Sequence, residues 1–123
     1  MGNHEKKRVY LSGKITGDPL YREKFAAAAA YLEDQGYVVM NPAVLPYPGF
    51  DHPEYMEICY AMMEPCEILA QLEDWTSSKG AHAEYLRARQ KGMVIASLTR
   101  SWKFEPYTYI NDKIDTQEDE ANV

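Results

Sequence analysis

The segment "TSSKGAHAEYLRA" (76–88) combines an anion-binding pattern with a single carboxylate. Serines, a lysine and Gly80 precede a helix-like stretch, and the backbone N–H groups at such a start can bind phosphates or carboxylates. Glu84 follows Gly80 by four residues, on the expected first turn. Simple helix capping would also explain a serine and a nearby acid. A carboxylate beside an anion cradle instead suits a ligand with an anionic end and an electrophilic carbon close to it.

A second loop, "SGKITGDP" (12–19), has similar chemistry. Its glycines lack the spacing of a Walker motif or of a dinucleotide fingerprint, so taken alone it is a glycine-rich connection into a helix. Each of the two loops offers backbone N–H groups, hydroxyls and one lysine, Lys14 or Lys79. If both loops end strands of the same sheet, they predict one shared anion-binding site.

The chain alternates apolar β-branched runs with helical segments. The pattern predicts strands over 8–13, 37–40, 67–73 and 93–98. It predicts helices from Asp18 to Gly36, from about Pro53 to a stop or kink at Pro65, and from about Gly80 to Lys91. The proline-rich stretch 41–53 between the second strand and the second helix is expected to be a loop.

This alternation predicts an α/β fold: a single-domain three-layer sandwich with a four- or five-stranded parallel sheet, flavodoxin-like or Rossmann-like. Ligands of such sheets bind outside the carboxyl ends of the strands, where both loops fall. We assign residues 1–104 to the α/β domain. Residues 105–123 form an acidic C-terminal segment whose end is expected to be frayed.

The composition is that of an ordinary folded domain, with 46% hydrophobic and 26% charged residues. No apolar run is long enough to span a membrane, and no apolar segment follows the basic N-terminal residues, so a cytoplasmic protein without membrane partners is expected. The net charge is −6, of which the segment 105–123 contributes −5. The remainder is nearly neutral and has no basic stripe, which argues against duplex nucleic acid as a partner.

The two cysteines, Cys59 and Cys66, are seven residues apart. This spacing matches neither a disulfide framework nor a zinc motif, so a reducing compartment is the simpler interpretation and no metal or other cofactor is expected. Glu73 and Asp74, at the end of the third strand, are interpreted as solvated charges.

Several motifs in order resemble one known family: "VYLSGKITG", an alanine-rich helix, "GYVVMNPA", "MEPCE" and "WTSSKGAHAE". Over roughly residues 8–98 the chain resembles the DUF4406 proteins, which are frequent in phages and bacteria. That group is similar to the nucleoside 2-deoxyribosyltransferase superfamily, which includes the 2'-deoxynucleoside 5'-monophosphate N-hydrolases. The resemblance implies a nucleotide or nucleoside as the ligand.

The resemblance also implies roles for individual residues. Glu84 becomes the nucleophile that attacks the anomeric carbon and releases the base, and Tyr10 orients it. Ser78 and Gly80 stand where the hydrolases hold the 5'-phosphate. The first phosphate and sugar loop corresponds to Gly13, Lys14, Ile15, Thr16 and Gly17. Thr16 occupies the position of an arginine in the hydrolases, and Lys14 or Lys79 could supply the missing charge.

One departure from the resembling enzymes concerns the second helix, where they carry an aspartate near the substrate. Cys59 stands at that position, and a thiol with an ordinary pKa near 8.5 is a poor substitute for a carboxylate. Glu57 and Glu64 flank it and are alternative candidates for this role. The departure leaves two hypotheses open: an N-glycosidase or deoxyribosyltransferase-like enzyme, or a non-catalytic nucleotide-binding protein that senses or sequesters its ligand.

Other side chains have two interpretations each. His82 could touch a phosphate or lie exposed on its helix, and Trp75 could stack on a base or pack in the core. Tyr47 and Phe50 could belong to a lid over the base. The helix segment "EICYAMM" (57–63) is apolar on more than one face, which predicts a homodimer or larger homo-oligomer. The aromatic segment "SWKFEPYTYIND" (101–112) could close the partner's site or pack on its own subunit.

Overall fold

A five-stranded sheet with helices on both faces forms the protein in the computed structural model, which describes residues 6–46 and 49–108. The strands are β1 (Arg8–Ser12), β2 (Val38–Met40), β3 (Ile68–Leu72), β4 (Val94–Leu98) and β5 (Phe104–Thr108). The helices are α1 (Tyr21–Asp34), α2 (His52–Met63) and α3 (Lys79–Lys91). Short 3₁₀ turns cover Pro42–Val44 and Trp75–Ser77.

The order of the strands is β2-β1-β3-β4-β5. The first four strands are parallel, and β5 runs antiparallel to β4. From β1 the chain continues to β2, which lies on one side of β1, and then to β3, which lies on the other side. The strand order therefore reverses between β1 and β3. Ligands of open α/β sheets bind at this point, outside the carboxyl ends of the strands. The predicted α/β three-layer sandwich is confirmed.

The sheet separates two apolar layers because neighbouring residues of a strand point to opposite faces. Val9 and Leu11 of β1 pack with Phe25, Ala28 and Leu32 of α1 on one face. On the other face, Tyr10 packs with residues of α2 and α3, including Cys59, Met63 and Ala88. The helices α2 and α3 therefore cover the face of β1 that carries Tyr10 and Ser12.

The first helix begins later than the sequence predicts. Asp18 does not cap α1. Its backbone N–H donates to Ile15 O in a turn, and its Oδ1 accepts from the backbone N–H of Leu20. Helix α1 starts only at Tyr21, with no side-chain cap. The competing local hydrogen bonds of an aspartate, which favour turns as well as caps, account for the difference.

The other two helices begin and end within about a residue of their predicted limits. A capping box starts α2, in which Asp51 Oδ1 accepts from Glu54 N and Glu54 Oε1 accepts from Asp51 N. Ser78 caps α3, and Gly92 ends that helix with a φ of 77°. This left-handed conformation favours glycine.

The last strand includes the first residues of the segment that the sequence analysis called acidic and C-terminal. Residues 105–108, placed in the C-terminal segment by the sequence, belong to β5 and pair with β4. The aromatics before and within β5 pack on their own subunit: Trp102 stacks on Tyr31 at 4.9 Å between ring centroids, and Phe104 meets Tyr37 edge-on. Tyr109 and the rest of the acidic segment lie outside the described residues. Within the described part of the chain, no helix combines the length and apolarity that crossing a membrane requires.

Candidate active site

Two hydroxyl groups of β1 hold the carboxylate of Glu84. Helix α3 directs Glu84 toward the sheet, where the residue is 5% exposed. Tyr10 Oη donates to Glu84 Oε2 and Ser12 Oγ donates to Oε1, each at 2.6 Å. Both donors lie on one face of β1 because they are two residues apart. The carboxylate is thereby fixed in position and orientation.

Burial changes the acidity of this carboxyl group. Loss of hydration raises the pKa of Glu84 to about 7, and the hydrogen bonds from Ser12 and Tyr10 act in the opposite direction by favouring the ionised form. At neutral pH a substantial fraction of Glu84 is therefore ionised and can act as a nucleophile.

A cleft of about 350 Å³ opens beside Glu84, a size in the range of small-molecule sites. It lies at the carboxyl ends of β1 and β3, between the loop after β1 and the starts of α2 and α3. The described residues that line it are Leu11, Gly13, Ile15, Thr16, Phe25, Pro42, Gly49, Phe50, His52, Tyr55, Ser78, Gly80, Ala81 and Glu84.

The structure brings most of the predicted site residues together. Besides Glu84, the predicted residues that line the cleft are Gly13, Ile15, Thr16, Ser78 and Gly80. Tyr10 is fully buried behind the carboxylate that it contacts. Lys14, Gly17 and Cys59 are not among the lining residues, and neither is Lys79.

Cys59 lies next to the carboxylate but away from the cleft. Its thiol is buried beside Tyr10 and Glu84, and burial raises its pKa to about 12. The thiol therefore stays protonated at neutral pH. The flanking acids do not replace the expected aspartate, because neither Glu57 nor Glu64 lines the cleft. Glu57 is exposed, and Glu64 pairs with Lys91 at 3.0 Å.

The start of α3 forms one wall of the cleft. Ser78 Oγ accepts from Ala81 N at 3.1 Å, which ties the cap to the first turn. A methyl group at Gly80 would lie 3.3 Å from Met56 Sδ, tighter than most real contacts of this kind. Glycine therefore lets the starts of α2 and α3 approach each other closely.

An ion-paired lysine holds the loop after β1, a feature the sequence did not predict. Lys24 Nζ donates to Lys14 O at 2.9 Å and pairs with both Asp18 and Asp74. Asp74 Oδ1 also accepts from Lys14 N at 3.0 Å. Asp74 is thus not a solvated charge but part of the loop's anchor.

Replacing Lys24 with methionine should loosen this loop while keeping much of the alkyl packing. We expect ligand affinity to fall about three- to tenfold, because Asp18 and Asp74 lose a common partner and the loop that contributes Gly13 and Thr16 becomes less ordered. Lys91→Met, which removes one ion pair away from the cleft, is the matched control. Calorimetric titration of both variants checks this, and equal affinities for the two would contradict it.

The structure distinguishes between the two interpretations given for Trp75 and His82. Trp75 packs against His82 and Tyr85 of α3, at 4.9 and 5.2 Å between ring centroids. Neither Trp75 nor His82 is among the lining residues, and His82 is exposed, which favours packing for Trp75 and an exposed helix position for His82. Phe50 does line the cleft and is 48% exposed, whereas Tyr47 lies outside the described residues.

Three residues of the site with polar side chains were not singled out in the sequence: Ser12, His52 and Tyr55. The alternation of β1 could have revealed Ser12, since it shares a face with Tyr10. His52 follows the cap of α2, and no motif marked it. Tyr55 Oη donates to Pro42 O at 3.2 Å and so fixes one side of the cleft. Among the residues described, no group of three His, Cys, Asp or Glu side chains could hold a metal ion.

The protein is an α/β domain with a cleft and a buried carboxylate at the point where its strand order reverses. Residues 7–97 match the family described as "Domain of unknown function (DUF4406)", and the chain belongs to this family. No curated protein matches the sequence. A similar solved structure is the CMP N-glycosidase BcmB of Clostridium botulinum, with a TM-score of 0.55 and 22% identity over 89% of this chain and 82% of that chain. This similarity shows a shared fold and agrees with the resemblance inferred from the sequence motifs.

Proposed function

We propose that the protein cleaves the N-glycosidic bond of a nucleoside 5'-monophosphate or a nucleoside, with Glu84 as the nucleophile. The observation that carries this proposal is the buried Glu84 carboxylate, held by Tyr10 and Ser12 at the wall of a cleft of about 350 Å³. The fold shared with an N-glycosidase supports the same class of reaction. Tyr10 is a positioning residue, since it reaches the substrate only through Glu84.

The reaction proceeds in two displacements. An oxygen of the ionised Glu84 forms a bond to the anomeric carbon while the bond to the base breaks, and the electron pair leaves with the base. A water then attacks the same carbon and releases the carboxylate. Its proton balances the one taken up by the departing base. If a second base attacks instead of water, the result is glycosyl transfer.

The proposed position of the substrate follows from the two loops. The start of α3 provides the Ser78 hydroxyl and the backbone N–H of Gly80 as donors for an anionic end, while the N–H of Ala81 donates to Ser78 Oγ. Thr16 and Gly13 line the same cleft from the loop after β1. The sugar would lie between this cradle and Glu84, with the base toward the remaining apolar wall.

A second candidate is a nucleotide-binding protein that does not catalyse. It is favoured by Cys59, which stands where the resembling enzymes have an aspartate and whose raised pKa of about 12 makes it a poor proton donor. The cleft and the cradle for an anion would serve such a protein equally well.

One experiment separates the two candidates. The protein is incubated with the ribo- and deoxyribonucleoside 5'-monophosphates and with the matching nucleosides, and both released base and retained ligand are measured by mass spectrometry. Release of a base that requires Glu84 supports the enzyme. A ligand that is retained intact, without release over many hours, supports the binding protein. Neither release nor retention would refute both candidates.

We also propose that the working unit is a homodimer formed through α2. Cys59 and Met63 are buried inside the subunit, whereas Ile58 and Met62 are only partly buried and Ala61 is exposed. This apolar strip can be covered by the same helix of a second copy.

Sedimentation at micromolar concentration should show about 28 kDa, twice the chain mass of 14.1 kDa. Met62→Lys should shift the protein toward monomer because it places a charge in the strip. Ala27→Lys, on the exposed side of α1 across the sheet, should leave the mass unchanged. A wild-type protein that sediments as a monomer would refute the dimer.

A further inference from the structure

Among the described residues that line the cleft, one side chain can carry a positive charge. That side chain belongs to His52. Lys14 and Lys79, which the sequence suggested as sources of a positive charge, do not line the cleft. Thr16 stands at the cleft in place of an arginine of the resembling enzymes. We propose that His52 binds the anionic end of the substrate and makes the site selective for phosphomonoesters, an inference that rests on the proposed function.

The position of His52 supports this assignment. His52 is the first residue of α2, and the capping box between Asp51 and Glu54 fixes the backbone on either side of it. A methyl group placed on Gly80 would lie 3.7 Å from His52 Cε1 and 3.9 Å from Ser78 Oγ. The imidazole therefore faces the start of α3 across the cleft, close to the Ser78 hydroxyl and Gly80, which are proposed to bind the anionic end of the substrate.

Lys14, in the loop after β1, does not line the cleft. Lys14 lies along Gly17: a methyl group placed on Gly17 would be 3.8 Å from Lys14 Cε. Hydrogen bonds from Lys24 and from the backbone of Leu20 lower the pKa of Asp18, and the charge of Lys14 makes a smaller contribution in the same direction. Lys24 pairs with Asp18 and Asp74. Lys24 of α1 is thus paired with two carboxylates outside the cleft lining, and Lys14 lies near one of them. Among the described residues that line the cleft, His52 remains as the group that can be cationic.

A phosphomonoester presents up to two negative charges and three acceptor oxygens. An imidazole N–H can donate to one of these oxygens, with added attraction when the ring is protonated. A plain nucleoside offers no such charge at the same end. His52 should therefore affect the binding of monophosphates selectively. If it instead protonated the leaving base, its loss would slow both substrate classes without selective weakening of monophosphate binding.

The test uses proteins that carry Glu84→Gln, so that binding is measured without turnover. Monophosphate and nucleoside pairs are titrated calorimetrically against this parent and against the same protein with His52→Ala, His52→Arg or His82→Ala. We expect His52→Ala to weaken monophosphate binding at least about tenfold, which corresponds to about 1.4 kcal/mol. Nucleoside binding should change less than about twofold. His52→Arg should restore most of the monophosphate affinity, and His82→Ala should change neither. Equal weakening for both ligand classes, or no weakening, would overturn the assignment.

A second readout separates this inference from the proposed function. Inorganic phosphate is titrated into the wild-type protein while the histidine ring signals are followed by NMR, with the His52 signal assigned by its loss in His52→Ala. A phosphate-dependent shift of this signal supports the anion site even if no base is ever released. Base release from monophosphates with an unshifted His52 signal and an unselective His52→Ala variant would refute the inference while leaving the proposed function intact.

Discussion

Replacing Glu84 with glutamine is expected to lower base release at least about a thousandfold, since removal of a nucleophile leaves only binding and positioning. The amide has nearly the size of the carboxylate, and the hydroxyls of Tyr10 and Ser12 can rotate to donate or accept. Ligand affinity should therefore stay within about tenfold of the wild type. Initial rates with saturating substrate and calorimetric titration of the variant measure the two effects separately.

The matched control is Glu57→Gln, which neutralises an exposed glutamate of α2 outside the cleft lining. Its turnover should remain within about twofold of the wild type, as expected for a surface substitution. A Glu84→Gln enzyme that turns over as fast as this control would remove Glu84 from the chemistry.

The second large effect is on pH dependence. Burial raises the folded-state pKa of Glu84 to about 7, so this carboxylate, the proposed nucleophile, becomes protonated and unable to attack as the pH falls below neutrality. Base release from a nucleoside at saturation should fall about tenfold for each pH unit below about 6. Tyr10→Phe removes a hydrogen bond that stabilises the ionised form of Glu84. The substitution should therefore raise the pKa of Glu84 and move the fall in rate to higher pH. A flat profile between pH 5 and 8 would contradict the assignment.

The contribution of Glu84 to stability should fall as the pH rises, whereas the rate of base release should rise. Between its ordinary pKa of 4.5 and about 7, Glu84 holds a proton in the folded protein but loses it in the unfolded chain. The folded state then binds more protons, so the contribution of Glu84 to the free energy of unfolding falls as the pH rises through this window, by roughly 3 kcal/mol in total. Glu84→Gln lacks this loss, so its stability relative to the wild type should increase from pH 4.5 to 7. Urea unfolding of both proteins at several pH values measures the difference.

The sequence predicted the architecture well because its signals are local. Proline and glycine positions marked the loops, and strand-like runs at regular spacing indicated the parallel sheet. The start of α1 was wrong because Asp18 makes turn hydrogen bonds that compete with capping. Strand β5 was missed because it contains Pro106 and depends on pairing with β4, which no local pattern reveals.

The site was partly predictable for a related reason. Glu84, Ser78 and Gly80 lie in one continuous segment that resembles a known motif, and the structure places all three at the cleft. The anchoring of the loop by Lys24 and Asp74 joins residues 50 positions apart, and charged residues of this kind are solvated in most proteins. His52 lies at the cleft where α2 and α3 approach each other near Gly80, a tertiary contact that composition does not encode.

The most direct test of the central claim is the configuration at the anomeric carbon when the reaction runs in buffer containing methanol. Two displacements through a covalent Glu84 ester give a methyl glycoside with the configuration of the substrate, and proton NMR distinguishes the two anomers. We predict the retained β anomer, formed by the wild type and not by Glu84→Gln. An inverted α product would contradict the account, because it would mean that the acceptor attacks the sugar directly and that Glu84 serves only as a base.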